Sequence, residues 1–282
     1  VPKSRRVFSL LLEDRKAKLV QSRRRPGRYE LSVDGIPQSV VSMTDPTDLE
    51  YDYTQHIARV MDAAAEPGAP LFTVHLGAGA LTLARYVEAT RAGSPQLVVE
   101  FEPTLYEAVI AALPLSPGTD LRVIFGDARA VADAELAGEW MGARFTVVDL
   151  WDAAVIRHRV ASQEFYRRVA ARSAAEGVVA VNLLDGHPFE YSRRQAATLR
   201  TVFDHVAVVL DAEPNDDEGP LGNVVVFASD EPLAVATNPD LLGVPHPHTL
   251  HGGALTSWIA GARIMTDADG TDSPDPDDPI WD

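Results

Sequence analysis

Gly77-Ala78-Gly79 follows an apolar run ending at Leu76 and precedes a stretch of helical period. Small residues at a strand-to-helix turn let the backbone approach a ligand and aim helix N–H groups at it. The turn therefore suits a nucleotide, without selecting one cofactor. The next run, QLVVEF, carries Glu100 at its end, and Glu102 follows. A carboxylate at the end of a second strand can accept hydrogen bonds from both hydroxyls of a ribose. Taken alone, either acid reads as an ordinary solvated carboxylate. The third run leads into Gly126-Asp127-Ala128, where Asp127 can accept from the exocyclic amine of adenine or serve as a helix N-cap. The fourth, FTVVDLWD, brings Asp149 and Asp152 to its end, three apart. Two carboxylates there suit a cationic amine, and one of them can take the proton that an ammonium must lose before its nitrogen attacks. Capping or surface acids are the alternative.

These residues share an edge only if the runs are strands of one sheet. LFTVHLG, QLVVEF, LRVIF, RFTVVDL and GVVAVNLL have strand length and are separated by helical patterns at 80–92, 104–113 and 162–175. Runs apolar on both faces predict a parallel sheet covered by helices, an α/β fold of Rossmann type. A helix at about 190–204, the strand HVAVVLDA, an acidic insert over 213–221 and the strand GNVVVFAS predict an antiparallel hairpin at the sheet edge. Upstream, residues 29–45 alternate apolar and polar around Asp34-Gly35, the signal of a β-hairpin. Segment 232–252 reads as loop and 253–265 as one more helix. The expected regions are 1–65, a basic segment and small β module; 66–232, the Rossmann-like catalytic domain; and 233–282, a C-terminal extension with an acidic tail.

A net charge of -16 opposes general binding to nucleic acid and is compatible with cationic small molecules. The absence of cysteine excludes disulfides, thiolate zinc sites and cysteine redox chemistry. No apolar run has the roughly 18 residues of a membrane span, so a soluble cytoplasmic protein is expected. Ten Lys or Arg lie within residues 1–28, while seven aspartates and three prolines lie between Asp267 and Asp282. That acidic composition cannot build a core and reads as a solvated tail. His246, His248 and His251 lie in a Pro/Gly-rich stretch without a paired carboxylate motif, and no metal site is read there.

From about Tyr29 to Ser229 the sequence resembles the spermidine synthase family, the polyamine aminopropyltransferases. Val33-Asp34-Gly35-Ile36-Pro37-Gln38 is similar to the family's L-D-G-x-x-Q hairpin, and Tyr53 sits near its Y-H-E element, here followed by Thr54 and Gln55. Val99-Glu100-Phe101-Glu102 looks like V-E-I-D, Gly126-Asp127-Ala128 like G-D-A, and Asp149-Leu150-Trp151-Asp152 like D-x-x-D. Glu164-Phe165-Tyr166 and Gly177-Val178-Val179 resemble the E-F-Y helix and the G-G-V-L turn.

The resemblance implies a methyltransferase-like Rossmann sheet behind a small β-domain, and a homodimer. It implies transfer of an aminopropyl group from decarboxylated S-adenosylmethionine, as co-substrate, to an amine such as putrescine, with methylthioadenosine as product and no tightly bound cofactor. Gly77 and Gly79 would then approach the nucleotide, Gln38 and Glu100 hold its nucleoside end and Asp127 its adenine. Asp149 would deprotonate the amine, with Asp152, Tyr53 and Asn182 on the substrate side. The sequence departs from the pattern at Ala80, where the family's glycine turn has an aspartate, and at Ala153, where it has proline. It departs again at Arg157-His158-Arg159, in the acidic insert Glu213 to Pro220, which lacks the family's tyrosine, and at Asn182, which replaces a glutamine. These changes leave open an S-adenosylmethionine-dependent methyltransferase, or a non-catalytic nucleoside-binding protein of the same fold.

Overall fold

The computed structural model describes residues 5–134, 138–152, 154–216 and 221–275. Lys3, Ala153, the insert residues Asp217 to Pro220 and the tail beyond Asp275 lie outside the described residues.

Four strands open the chain, β1 (Arg5–Leu12), β2 (Arg15–Gln21), β3 (Arg28–Val33) and β4 (Ile36–Ser42), and pair consecutively as an antiparallel sheet. The hairpin about Asp34-Gly35 is β3–β4, with Val33 opposite Ile36. The two strands ahead of it are a difference from the sequence reading, which takes residues 1–28 as a basic segment. The period of two explains it: Ala17 and Leu19 point inward between charged residues and are fully buried. Leu19, with Leu31 and Val41, packs on Ala80, Val109 and Leu113 of the following segment, and Ala17 packs with Leu12 and Val33.

After α1 (Asp52–Ala63) come β5 (Thr73–Leu76), α2 (Thr82–Thr90), β6 (Gln96–Glu100), α3 (Pro103–Ala112), β7 (Leu121–Phe125), α4 (Ala128–Asp133) and β8 (Ala143–Val148). Then follow α5 (Gln163–Ala170), β9 (Ser173–Asp185), α6 (Glu190–Leu199), β10 (His205–Leu210), β11 (Gly222–Ser229), α7 (Ala234–Thr237), β12 (His248–Leu250) and α8 (Gly252–Trp258). Eight strands make one sheet in the order β12-β10-β11-β9-β8-β5-β6-β7. Its β7 to β9 half is parallel, and β11, β10 and β12 continue it antiparallel. Strand β5 lies between β6 and β8, so the chain reverses its direction of strand addition there. A crevice opens at such a switch point, outside the carboxyl ends of the strands. Helices cover both faces over two separate cores, one around Val74, Leu76 and Phe165, the other around Ile57, Phe145 and Phe227.

Helix α5 stops at Ala170, earlier than the period predicts, because Ser173 already pairs with Ala143 at the start of β9. Helix α8 likewise ends at Trp258. Beyond it the described part of the extension, to Asp275, is docked and not solvated as expected. Met265 is fully buried, Asp267 grips Arg129 through two 2.6 Å bonds, and Asp272 meets Arg157 at 2.9 Å. The arginines that hold it lie far away in sequence, and composition alone could not place them. No helix among the described residues is long and apolar enough to cross a membrane.

Candidate active site at the switch point

The β5–α2 turn is built for close approach. Gly77 has φ +92°, and a Cβ there would stand 2.3 Å from the carbonyl oxygen of Asp149. At Gly79, φ is +51° and a Cβ would stand 2.4 Å from Ser39 Oγ on β4. The turn is thus pressed between the end of β8 and the N-terminal sheet. A cleft of about 180 Å³ lies beside it, lined by Gln38, Tyr53, Gly77, Gly79, Glu100 and Asp149 among others.

Glu100 ends β6 inside this cleft. Its carboxylate accepts from the backbone N–H of Ala78 at 2.9 Å and of Glu102 at 2.7 Å, which ties it to the glycine turn. Burial pushes its pKa above the ordinary value against those donors. The next side chain, Phe101, is 67% exposed and lines the cleft mouth, a flat apolar surface of the kind a base can stack on.

Asp149, just past β8, is held from three sides. Its Oδ1 accepts from Asn182 Nδ2 at 2.9 Å and Trp151 Nε1 at 2.5 Å, and among the described residues its Oδ2 has only a 3.4 Å contact from the Tyr53 hydroxyl. Asn182 is itself oriented by Asn223 Nδ2, which donates to its Oδ1 at 3.1 Å. Burial pushes the Asp149 carboxyl up, and the three donors work against that rise. The same burial, joined by the Asp149 charge, pushes the Tyr53 phenol up. A carboxylate with one oxygen fixed and the other nearly unspent, and with a raised pKa, is equipped to accept a proton from a bound amine.

Tyr53 also borders a second hollow of about 600 Å³, whose lining includes Asn223 and six carboxylates: Glu50, Asp52, Asp185, Asp211, Glu213 and Asp216. Glu50 pairs with Arg25 and Arg28, and Asp211 faces His56 at 3.1 Å. Asp185 is satisfied by the N–H groups of Gly186 and Ser192.

Two predicted residues stand apart. Asp127 caps α4, accepting from Ala130 N–H at 2.8 Å, and pairs with Arg159 at 3.3 Å; its neighbours Gly126 and Ala128, not Asp127 itself, line the cleft. Asp152 is shared by Arg15 at 3.1 Å and Arg157 at 2.8 Å, outside the cleft wall. Sequence reasoning missed Trp151, Asn223, Arg15 and His75. Trp151 turns back onto Asp149 from two residues away, which a strand-end pattern does not show. Asn223 reaches Asn182 diagonally across the β9–β11 ladder, where Val225 is the direct partner. Of the three late histidines, His248 faces Glu213 at 3.6 Å and His246 faces Asp240 at 3.9 Å.

No family model and no curated protein matches the sequence. Solved structures match the fold. A probable spermidine synthase from Corynebacterium glutamicum superposes with TM-score 0.78 over 95% of this chain and 97% of its own, at 22% identity. A spermidine synthase in complex with the transition-state analogue AdoDATO superposes with TM-score 0.60 over 84% and 76%, at 15% identity. Human methyltransferase-like protein 13 in complex with SAH gives 0.53 over 77% and 96%, at 17% identity. The class defined by sheet order and N-terminal module is therefore the α/β Rossmann-like, methyltransferase-type fold. Within it, the chain has the fold of spermidine synthases.

Proposed function

We propose that the protein is a spermidine synthase-like transferase that moves an aminopropyl group from decarboxylated S-adenosylmethionine to an amine such as putrescine, working as a homodimer. The observation that carries this reading is the position of Asp149, which lies in the cleft with the glycine turn and Glu100 and is joined through Tyr53 to a hollow rich in carboxylates. The nucleoside end of the donor lies along Gly77 to Gly79, with Glu100 and Gln38 toward the ribose and Phe101 toward the base. The amine arrives from the acidic side, where its charge is compensated. Asp149 Oδ2 takes one proton from the ammonium. The freed nitrogen then attacks the carbon bound to the sulfonium sulfur, the C–S bond breaks with its electron pair on sulfur, and methylthioadenosine leaves. The sulfonium is a good leaving group, so positioning and one base suffice. Asp127 has a cap and an ion pair instead of a place in the cleft, and adenine is assigned to Phe101 in its stead.

The test is incubation of the purified protein with decarboxylated S-adenosylmethionine and putrescine, cadaverine, spermidine or agmatine, with methylthioadenosine and aminopropylated amine quantified by mass spectrometry. Product that falls about 10²- to 10⁴-fold in Asp149→Asn supports the reading, that being the range for loss of a general base. No product with any amine, while a spermidine synthase works in parallel, overturns it. Methyl transfer from S-adenosylmethionine, supplied to the same amines in a parallel incubation, would favour the methyltransferase alternative.

A further inference from the structure

The cleft holds a cation that an aminopropyl donor does not call for. Arg15, at the start of β2, lines the same cleft as the glycine turn and Asp149. Its Nη1 donates to Asp152 Oδ1 at 3.1 Å, while the other oxygen of Asp152 receives Nε and Nη2 of Arg157 at 2.9 and 2.8 Å. Arg157 is braced in turn by Asp272 at 2.9 Å. Asp152 is therefore spent on guanidinium groups and presents no acid to an ammonium. Arg15 uses one of its five N–H donors on it and has others left for a ligand.

The turn offers no acid either. Ala80 stands where the family resemblance calls for an aspartate, and its side chain is fully buried among Leu19, Leu31 and Val41, outside the cleft wall. Arg15 is thus the one guanidinium among the described residues lining this cleft, beside Glu100, Glu102 and Asp149, and the turn itself supplies no carboxylate for a group projecting from the sulfur of a bound nucleoside. The decarboxylated donor ends in an ammonium alone, which gains nothing from such a neighbour. A tail that also bears a carboxylate gains a charge-assisted hydrogen bond.

We propose that Arg15 is a recognition residue for a carboxylate on the donor's tail, so that the protein binds S-adenosylmethionine at least as tightly as its decarboxylated form. This rests on the cleft being an adenosyl-sulfur site and adds S-adenosylmethionine as an occupant that competes with the decarboxylated donor of the proposed transfer. The experiment is calorimetric titration of the full chain with S-adenosylmethionine, decarboxylated S-adenosylmethionine and methylthioadenosine, which has no tail to recognise. Wild type binds the carboxylated donor with a Kd no higher than that of the decarboxylated one. Arg15→Gln weakens the carboxylated donor about tenfold or more, the scale of a lost hydrogen bond to a charged group, and leaves methylthioadenosine unchanged. Arg15→Lys, which keeps the charge, recovers part of the loss. A wild-type preference for the decarboxylated donor overturns the proposal, as does an unchanged ratio between the donors in Arg15→Gln. Methylthioadenosine binding with no donor discrimination defeats this inference alone. Failure to bind methylthioadenosine defeats the functional reading together with it.

Discussion

Replacing Gly77 by alanine tests whether the β5–α2 turn is pressed against Asp149 as the structure has it. Two costs add at this position. A side chain at φ +92° pays the penalty for left-handed backbone, about 1–2 kcal/mol. Its Cβ would also stand 2.3 Å from the Asp149 carbonyl oxygen, a main-chain atom that cannot swing aside as a flexible side chain would. Relieving such a contact by moving backbone costs about 1–3 kcal/mol more. Gly68 separates the two terms: it has φ +74° and nothing within 4 Å of an added methyl, so Gly68→Ala pays the conformational cost alone. In urea unfolding, Gly77→Ala should be the less stable variant by about 1–3 kcal/mol, which for a chain of this size is on the order of 5 °C in Tm. Calorimetry on the same samples should show loss of methylthioadenosine binding in Gly77→Ala only, because the shift parts the turn from Asp149. Equal destabilisation of the two variants, with nucleoside binding intact in both, would refute the close approach and the site geometry drawn from it.

Asn182→Ala removes the amide that fixes Asp149 Oδ1 and leaves Asn223 without its acceptor. The expected result is a fall in kcat of about tenfold, on the scale of one hydrogen bond to a charged group, with methylthioadenosine affinity unchanged. His75 is buried on β5 against Gln96 Oε1 at 3.0 Å, and burial lowers its pKa to about 4 from 6.5. The unfolded chain therefore takes up this proton first, and stability held above pH 6.5 is lost as the pH falls toward 4, by about 3 kcal/mol in all. Urea midpoints measured across that range should fall less steeply in His75→Gln. The raised pKa of Asp149 acts in the opposite sense, since the folded state holds that proton more tightly than the unfolded one. Stability falls as pH rises from 3.8 through the folded value, while turnover, which needs the ionised base, rises over the same window.

The chemistry-bearing residues at strand ends were legible in the sequence because a parallel sheet writes each strand as an apolar run and puts its last residues on one edge. Gly77, Gly79, Glu100 and Asp149 meet in the cleft for that reason, and Tyr53 and Asn182 join them at Asp149. Asp127 and Asp152 lie at the same edge, but their surroundings come from Arg159, Arg15 and Arg157, whose side chains no periodicity places. The N-terminal strands were obscured by charge: ten cations in residues 1–28 outweigh an alternation that shows only when Ala17 and Leu19 are seen facing inward. Long-range pairs were equally hidden. Asp267 with Arg129 and Asp272 with Arg157 join segments more than a hundred residues apart and dock the start of the acidic extension.

The most direct test of the account is the crystal structure of the protein grown with methylthioadenosine. The nucleoside should lie in the cleft with its ribose hydroxyls on Glu100, its base against Phe101 and its sulfur facing Asp149. A nucleoside seated elsewhere, or a cleft empty at saturating ligand, would contradict it.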